Sequence, residues 1–387
     1  MIVVVGIGAD GFEGLAPAAQ AELRRASVIY GSRRQLEMLD ETVTAQRREW
    51  PSPMLPALRS LPAGVHVLAS GDPMLHGVGG TLMRLFGPHR VRVLPHVSSF
   101  ALACARLGWT VHDTEVISLV TAEPHTAIRR GGRAVVLSRD ATTPATLARL
   151  LADTGRGESD FTVLEQLGGP AERRRDATAA QWAAGPPTDI DDLNVVAVRY
   201  LPDERTSHPP DDAFRHDGQI TKHTIRAVTI AALAPRPGEL LWDVGSGSGS
   251  IAVEWSASQP GCRAVAFERD EGRRDRIARN AVAFGVGVEV RGRAPEAFDG
   301  AAQPAAIFLG GGLTQPGLID ACFDRLPVDG RLVANAVTVE SEAIVAQWFS
   351  RIGGDLRRYQ HHHGEPLGTF TGWRPAMPVT QWAVTKR

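Results

Sequence analysis

The chain has 387 residues, a length that corresponds to two or three domains. Its 42 Lys and Arg residues balance 43 Asp and Glu residues, and the resulting net charge of −1 argues against a protein that binds nucleic acid through bulk positive charge. Three widely separated cysteines exclude a disulfide framework and a zinc site built from Cys-x-x-Cys pairs. The sequence has neither a signal peptide nor an apolar run of the roughly 20 residues that a membrane span needs, so we expect a cytoplasmic protein.

Strand and helix patterns alternate on both sides of a polar, proline-rich segment. The strands predicted before that segment are 2–5, 65–69, 91–94, 116–120, 133–137, 161–164 and 194–200. The strands predicted after it are 240–244, 264–267, 288–290, 306–309, 331–334 and 382–385, and the helices are 223–233, 250–257 and 271–284. We therefore predict an α/β protein of two domains, 1–203 and 213–387, joined by a linker at 204–212 and built on mostly parallel sheets.

A glycine-rich loop follows the first predicted strand. Gly6, Gly8 and Gly11 spell G-x-G-x-x-G, the pattern of a dinucleotide-binding loop. The next strand candidate ends in Val-Ile-Tyr-Gly at 28–31 and supplies no acidic side chain for a ribose. The loop therefore does not by itself predict a nicotinamide cofactor.

Three further loops of the first domain follow predicted strands. They read Ser-Gly-Asp-Pro-Met-Leu-His-Gly at 70–77, Pro-His-Val-Ser-Ser at 95–99 and Glu-Gln-Leu-Gly-Gly-Pro-Ala-Glu at 165–172. With the first glycine loop they resemble the tetrapyrrole methylases, the class III S-adenosylmethionine (SAM) methyltransferases. The resemblance implies a two-lobed α/β fold with SAM held between the lobes. The cofactor-binding residues that it implies are Gly8, Gly71, Asp72, Pro73, Ser98 and Ser99.

Within that family, the segment Tyr-Gly-Ser-Arg-Arg-Gln-Leu at 30–36 resembles the branch that methylates C5 of precorrin. The chain departs from the commoner family form at His96, where many members have glycine. Two interpretations of Asp72 remain open: it could act as a general base, or its side chain could shape the turn before Pro73.

A second glycine loop, Gly245-Ser246-Gly247-Ser248-Gly249, lies between a predicted strand and a predicted helix. Its third glycine comes one position too early for a dinucleotide loop. The G-x-G-x-G spacing resembles motif I of the Rossmann-like class I SAM methyltransferases. Glu268, at the end of the next strand, is suited to accept both ribose hydroxyls, and Asp243 to meet the methionine amino group. Ala294 stands at the adenine contact that the resemblance implies.

Gly310, Gly311 and Gly312 follow the fourth predicted strand of this domain. Base-modifying methyltransferases have an Asn/Asp-Pro-Pro-aromatic motif at this point, so methylation of nucleic acid is disfavoured and the glycines leave room for a bulky substrate. With these glycines, the segments 219–227 and 377–379 resemble the precorrin C15-methyltransferase (decarboxylating) domain. That resemblance implies that Thr221 contacts SAM. Lys222 either presents its ammonium group to the substrate or stands by chance at a helix N-terminus.

Three clusters of basic side chains have simpler interpretations. His361, His362 and His363 are adjacent, and a strand would send alternate side chains to opposite faces, so we predict no metal site there. We interpret them as a surface strand or as substrate-facing histidines. The arginine runs at 173–175 and 273–274 are predicted to be solvated helix faces.

Together the resemblances imply a class III fold followed by a class I domain, with two SAM sites per chain. The first domain would methylate C5 of the precorrin macrocycle, and the second would methylate C15 and remove CO2 from the C12 acetate in cobalamin biosynthesis. The partner would be a small tetrapyrrole, with no nucleic acid, membrane or metal, and the chain would form a homo-oligomer. Alternatives left open are a cobalt-containing anaerobic substrate, an RNA or protein methyltransferase, and a non-catalytic SAM-binding regulator.

Overall fold

The computed structural model describes residues 1–202 and 208–387, and the chain divides into two compact units, 1–203 and 204–387. Residues 204–207 of the predicted linker lie outside the described residues. In the described ranges, no helix is both long enough and apolar enough to cross a membrane.

The first sheet of the N-terminal unit is parallel, as predicted. Its strands are β1 (Ile2–Ile7), β2 (Val28–Gly31), β3 (Gln46–Glu49), β4 (His66–Ser70) and β5 (Val91–Leu94), in the order β3-β2-β4-β1-β5. The helices of this lobe are α1 (Pro17–Arg24), α2 (Arg33–Glu37), α3 (Met54–Arg59) and α4 (Val78–Phe86). Apolar clusters cover both faces of the sheet, and all six residues of β1 are buried. A continuous apolar run is what a central parallel strand requires.

The second sheet of this unit differs from the prediction of mostly parallel sheets. Its strands are β6 (Glu115–Ser118), β7 (Arg133–Leu137), β8 (Asp160–Glu165), β9 (Arg173–Thr178) and β10 (Asn194–Arg199), in the order β6-β7-β10-β8-β9. Its helices are α5 (Ser99–Leu107), α6 (Thr143–Asp153) and α7 (Ala179–Ala184). Only β6 and β7 pair in parallel. The short connection from β8 to β9 permits an antiparallel pair but not a parallel crossover, so the prediction is wrong for this sheet.

The two sheets form the two lobes that the resemblance to the tetrapyrrole methylases implies, and α5 joins them. It follows β5 of the first sheet, yet Phe100 and Cys104 pack on Val135 and Leu164 of the second sheet. Loops at the carboxyl ends of the first sheet therefore face the second lobe.

The arginine run at 173–175 begins β9 and is not on a helix, so that prediction is wrong. Arg173 Nη2 and Arg175 Nε donate to the two oxygens of Glu165 at 2.6 and 3.2 Å, and the Glu165 carboxylate is fully buried. Alternate residues of a strand share one face, which is why both side chains reach the same carboxylate.

The C-terminal unit is built on a seven-stranded sheet with helices on both faces. Its strands are β11 (Leu240–Val244), β12 (Arg263–Phe267), β13 (Val288–Arg291), β14 (Ala306–Leu309), β15 (Arg331–Ala336), β16 (Asp355–Tyr359) and β19 (Val379–Thr385). Between β16 and β19 the chain forms a separate hairpin of β17 (His362–Leu367) and β18 (Phe370–Pro375). The order is β13-β12-β11-β14-β15-β19-β16, with β19 antiparallel to both of its neighbours and the other pairs parallel.

The three helices predicted for this unit lie close to their predicted bounds, as α8 (His223–Leu233), α9 (Ser250–Ser258) and α10 (Glu271–Phe284). Two further helices, α11 (Leu318–Arg325) and α12 (Val339–Ile352), were not predicted. Arg273 and Arg274 lie on a helix, in the first turn of α10, as predicted, but both are half-buried rather than solvated. Arg273 Nε donates to Asp217 at 3.0 Å.

Residues 208–212 pack against α8 and α9 of this unit. Arg226 is fully buried and donates to Glu254 Oε1 and to Asp211 Oδ1, each at 2.6 Å, and to the carbonyl oxygen of Pro209. His208 Nδ1 lies 3.0 Å from the second oxygen of Glu254. These five residues are therefore tied to the C-terminal unit by buried polar contacts.

Candidate cofactor sites

The loops predicted to bind the cofactor of the C-terminal unit meet at one edge of its sheet. β12 lies on one side of β11 and β14 on the other, so the loops after these three strands surround a crevice at their carboxyl ends. The loop after β11 carries Gly245–Gly249, the loop after β12 carries Glu268, and the loop after β14 carries Gly310–Gly312. The backbone N–H of Gly310 donates to Val244 O at 3.1 Å, and a Cβ atom added at Gly245 would lie 2.7 Å from Gly311 O. The proposed substrate loop and the proposed cofactor loop are thus neighbours.

The glycine loop is held tightly against its surroundings. Gly249 has φ +76°, and a Cβ atom there would lie 2.8 Å from Ile277 Cγ2. Only glycine combines that backbone conformation with such a close approach. The N–H groups of Gly245 and Ser246 both donate to Phe267 O, at 3.0 and 3.2 Å. The loop is therefore fixed before any ligand binds.

Asp243 lies beneath this loop with only 1% of its surface exposed. Its Oδ2 accepts hydrogen bonds from Ser246 Oγ at 2.7 Å and from Ala252 N at 3.1 Å. Burial raises the pKa of Asp243 to about 6, against the opposing effect of these two hydrogen bonds. Among the described residues, Asp243 Oδ1 and Ser248 Oγ are buried without a hydrogen-bond partner.

Glu268 is also buried, and it is bonded to the loop itself. Its Oε2 accepts from the N–H of Gly247 at 2.9 Å, and its Oε1 accepts from that of Asp270 at 3.0 Å. A carboxylate oxygen has more than one acceptor position. Both oxygens of Glu268 therefore keep capacity for ligand hydroxyls, and a cofactor with an amino group and hydroxyls fits the residues present.

The three remaining residues predicted for this unit each contact a different neighbour. They are Ala294, Thr221 and Lys222. Ala294 is buried, and its carbonyl oxygen accepts from Gln315 Nε2 at 3.2 Å. The carbonyl oxygen of Thr221 accepts from Arg226 Nη1 at 2.7 Å. Lys222 stands at the N-cap of α8, with its side chain 59% exposed and Nζ 3.5 Å from Asp211 Oδ2. Its ammonium group is therefore already paired with a carboxylate.

A cavity of about 530 Å³ lies between the two lobes of the N-terminal unit, and five of the six residues predicted for that unit line it. These are Gly8, Gly71, Asp72, Ser98 and Ser99. Pro73 is not on the lining but is buried against Gly77 and Gly79. The size of the cavity is in the range of small-molecule sites.

The loop residues of this cavity have structural partners of their own. Asp72 Oδ1 accepts from Met74 N at 2.8 Å, which is an Asx turn, and Ser98 Oγ accepts from Ala101 N at 3.1 Å as the N-cap of α5. A Cβ atom at Gly8 would lie 2.9 Å from His96 Nε2, which itself lies 3.1 Å from both carboxylate oxygens of Asp10. A side chain at position 8 would therefore collide with the His96 ring in its present position.

The second lobe contributes residues to this cavity that were not predicted from the sequence. Ser138 and Asn194 line it, and Ser138 Oγ and Asn194 Oδ1 are buried without a hydrogen-bond partner in the described part of the chain. No motif marks either residue. An apolar cavity with unpartnered polar atoms fits a nucleoside-containing cofactor. Arg34 and Gln35, from the segment that resembles the C5-methylating branch, also line it.

The three adjacent histidines lie at an exposed hairpin. His362 and His363 are on β17, and the Nε2 atoms of His361 and His363 are 2.9 Å apart. The described ranges hold no group of three or more His, Cys, Asp or Glu side chains arranged to bind a metal ion.

The folds of the two units and the family models that match them define a protein made of two methyltransferase domains. Residues 1–183 match the family model of the tetrapyrrole (corrin/porphyrin) methylases, and residues 212–386 match that of the precorrin methyltransferase domain. The chain is 70% identical over 390 residues to precorrin-6Y C(5,15)-methyltransferase (decarboxylating) of Mycobacterium tuberculosis (strain CDC 1551 / Oshkosh), with both chains covered in full. It is 44% identical to the protein of the same name from Sinorhizobium sp, covering 100% of this chain and 96% of the relative.

Among solved structures, the C-terminal domain of precorrin-6Y C5,15-methyltransferase from Rhodobacter capsulatus is 43% identical, covers 46% of this chain and 97% of its own, and has a TM-score of 0.44. The full-length identities show that the chain belongs to the family of precorrin-6Y C(5,15)-methyltransferases (decarboxylating), which are SAM-dependent enzymes.

Proposed function

We propose that this chain methylates the precorrin-6B (precorrin-6Y) macrocycle at C5 and C15 with SAM and removes CO2 from the C12 acetate, giving precorrin-8 in cobalamin biosynthesis. The observation that carries the proposal is the 70% identity to a relative of that name over the whole of both chains. A likeness that includes both domains in the same order supports both activities.

The two activities divide between the domains. We assign C5 methylation to 1–203 and C15 methylation with decarboxylation to 213–387. Of the linker at 204–212, residues 208–212 pack against the C-terminal unit. The family models support this division, since a tetrapyrrole methylase model matches the first part and a precorrin methyltransferase model the second.

Two SAM sites per chain are part of this proposal. In the C-terminal unit, the loop at 245–249 would cradle the cofactor, Glu268 would accept from the ribose hydroxyls and Asp243 would pair with the amino group. Ala294 would contact adenine, and Thr221 would contact SAM. The unpartnered Asp243 Oδ1 and Ser248 Oγ support this assignment. When bound, SAM supplies a methyl group already activated on a sulfonium.

In the N-terminal unit, SAM would occupy the cavity between the lobes. Gly8, Gly71, Ser98 and Ser99 would present backbone groups, Asp72 and Pro73 would shape the turn, and Ser138 and Asn194 would supply polar contacts from the other lobe. The chain's work in both sites is to align methyl and carbon and to exclude water, because the methyl donor is already reactive.

The substrate of the C-terminal unit would lie against Gly310, Gly311 and Gly312, which add no side chains to the crevice. We propose that Lys222 stabilises the C12 acetate region during loss of CO2. Its salt bridge to Asp211 means that it would act as a paired rather than a free cation. A proton or a nearby cation would serve decarboxylation, while the conjugated macrocycle accepts the electrons.

We also propose a homo-oligomer in the cytoplasm, with a small tetrapyrrole and neither nucleic acid nor membrane as partner. The hairpin of β17 and β18 supports self-association because several large apolar side chains on or next to it are exposed. They are Leu367, Phe370, Trp373 and Met377. The net charge of −1 supports the absence of a nucleic-acid partner.

The test is to incubate the full chain with SAM and precorrin-6B and to follow the mass of the macrocycle. We expect a gain of two methyl groups and the loss of one CO2. The cobalt-containing macrocycle forms the second arm, and faster turnover of that substrate would assign the chain to the anaerobic route. No mass change with either macrocycle, while two S-adenosylhomocysteine (SAH) molecules bind per chain, would overturn the proposal. No mass change with fewer than two SAH bound per chain would favour a non-catalytic regulator with one degenerate site.

In the same assay, Lys222→Gln should separate C15 methylation, which remains, from loss of CO2, which slows.

A further inference from the structure

Arg34 places a positive charge on the wall of the N-terminal cavity. The residue lines the cavity, its Nη2 donates to Ser70 Oγ at 3.2 Å, and its Nη1 lies 3.9 Å from Met38 Sδ. Among residues 1–202 and 208–387, no Asp or Glu side chain forms a salt bridge with it. Three of its five N–H groups therefore remain available for a ligand.

The adjacent arginine shows how different this environment is. Arg33 points to solvent with 79% of its side chain exposed and pairs with Glu37 at 2.9 Å. Burial lowers the pKa of Arg34, although an arginine keeps its charge at neutral pH. The Asp191 carboxylate acts on Arg34 at longer range. Asp191 Oδ1 accepts hydrogen bonds from Gln166 Nε2 and from the N–H of Leu193.

The local structure holds the Arg34 side chain in this position. α2 begins with a capping box in which Ser32 and Gln35 bond reciprocally. Gln35 Nε2 donates to Ser70 Oγ at 3.1 Å, so Ser70, at the end of β4, accepts from both Gln35 and Arg34. A partly desolvated cation that is fixed without a counter-charge is unfavourable unless an anion joins it.

The lining of the same cavity also includes an aromatic side chain. Trp50 lines it and stacks on Tyr30, with ring centroids 5.0 Å apart. The site thus combines a flat apolar surface with a positive charge. This combination suits a ligand that is largely apolar and carries carboxylate groups.

We propose that Arg34 binds a carboxylate group of the ligand in this cavity and so determines how that ligand is positioned. The inference rests on the proposed function, in which two ligands carry the required chemistry: the methionine carboxylate of SAM and the acetate and propionate groups of the macrocycle. The guanidinium fork of arginine matches a carboxylate with two parallel hydrogen bonds.

The test compares Arg34→Gln, Arg34→Lys and the matched control Arg33→Gln in the full chain. Calorimetric titration with SAH measures cofactor affinity, and the initial rate of C5 methylation at varied precorrin-6B concentration gives KM. If the carboxylate belongs to SAM, Arg34→Gln weakens SAH binding in the N-terminal unit by at least about tenfold. If it belongs to the macrocycle, SAH binding is unchanged and KM rises by a similar factor.

Arg34→Lys keeps the charge but loses the fork, and should fall between wild type and Arg34→Gln in whichever quantity changes. Arg33→Gln should match wild type in both. The inference is overturned if Arg34→Gln and Arg34→Lys also match wild type in SAH affinity and in KM. That outcome, obtained with a wild-type chain that transfers two methyl groups, leaves the proposed function intact. A wild-type chain that transfers none overturns the proposed function, and the SAH titration then still decides the cofactor arm.

Discussion

Arg226 and Glu254 form an ion pair in which both side chains are almost completely buried, with Nε and Oε1 2.6 Å apart. The same guanidinium donates to Asp211 and to the carbonyl oxygens of Pro209 and Thr221, so it joins the segment before α8 to the core of the C-terminal unit. The Arg226 side chain thus neutralises the buried Glu254 carboxylate and also holds the segment before α8 in place.

We expect Arg226→Met to destabilise the C-terminal unit by about 3–5 kcal/mol, because it leaves the buried Glu254 carboxylate without its main counter-charge. The double variant Arg226→Met/Glu254→Met should recover part of that loss, since it removes both charges. Scanning calorimetry of the full chain measures the effect. Arg279→Met on the exposed face of α10 is the control, with an expected change within about 0.5 kcal/mol. Equal melting temperatures for Arg226→Met and Arg279→Met would contradict the prediction.

Asp243 should make the stability of the ligand-free chain depend on pH. Its pKa is about 6 in the folded chain against the ordinary value of 3.8, so between these values the folded chain holds a proton that the unfolded chain has lost. The contribution of Asp243 to stability is therefore greatest at low pH and declines as the pH rises through that window. Asp243→Asn should remove this decline. The check is the difference in melting temperature between variant and wild type from pH 4.5 to 7.5, which should grow in favour of the variant as the pH rises.

The same carboxyl group should link cofactor binding to pH. If the ionised Asp243 pairs with the amino group of the ligand, SAH affinity in the C-terminal unit rises as the pH passes through about 6, and binding below that pH releases a proton. Titration calorimetry in buffers that differ in ionisation enthalpy measures how many protons are released when SAH binds. An affinity that is flat across this range in wild type would remove Asp243 from the binding site.

Gly249 should tolerate no side chain. Its φ of +76° and the 2.8 Å approach of a Cβ atom to Ile277 Cγ2 both oppose alanine. We expect Gly249→Ala to cost about 1–3 kcal/mol of stability and to weaken SAH binding in the C-terminal unit. Gly287→Ala is the matched control, because a Cβ atom there meets open space at an ordinary φ. Calorimetric melting and SAH titration should distinguish the two variants, and indistinguishable results would show that the loop is not held as tightly as its geometry indicates.

Asp72 should act by shaping its loop. Asparagine can accept the same hydrogen bond from Met74 N, whereas alanine cannot. We therefore expect Asp72→Asn to lower the rate of C5 methylation by less than about tenfold, and Asp72→Ala to lower both that rate and SAH affinity by more. A general base would behave differently: both variants would lose about a hundredfold or more in rate with SAH affinity retained. Methylation rates and SAH titrations of the two variants decide between the roles.

Much of this molecule could be predicted from local pattern. The apolar runs at β1, β4 and β11 are strands because successive buried residues require a central position in a sheet, and α8 and α10 begin and end at the predicted residues. The glycine spacing at 245–249 marked the turn between β11 and α9, since the φ values there are accessible chiefly to glycine. These features depend on residues within one turn or one strand of each other.

Only the tertiary structure decided which distant segments meet. The polar run at 173–175 has no hydrophobic period, and it is a strand because β8 pairs with it and the buried Glu165 accepts from two of its arginines. Arg34, Ser138 and Asn194 share a cavity although more than a hundred residues separate the first from the other two. Hydrophobic periodicity is a local property, whereas the partner of a buried charge or the wall of a cavity is set by contacts between remote parts of the chain.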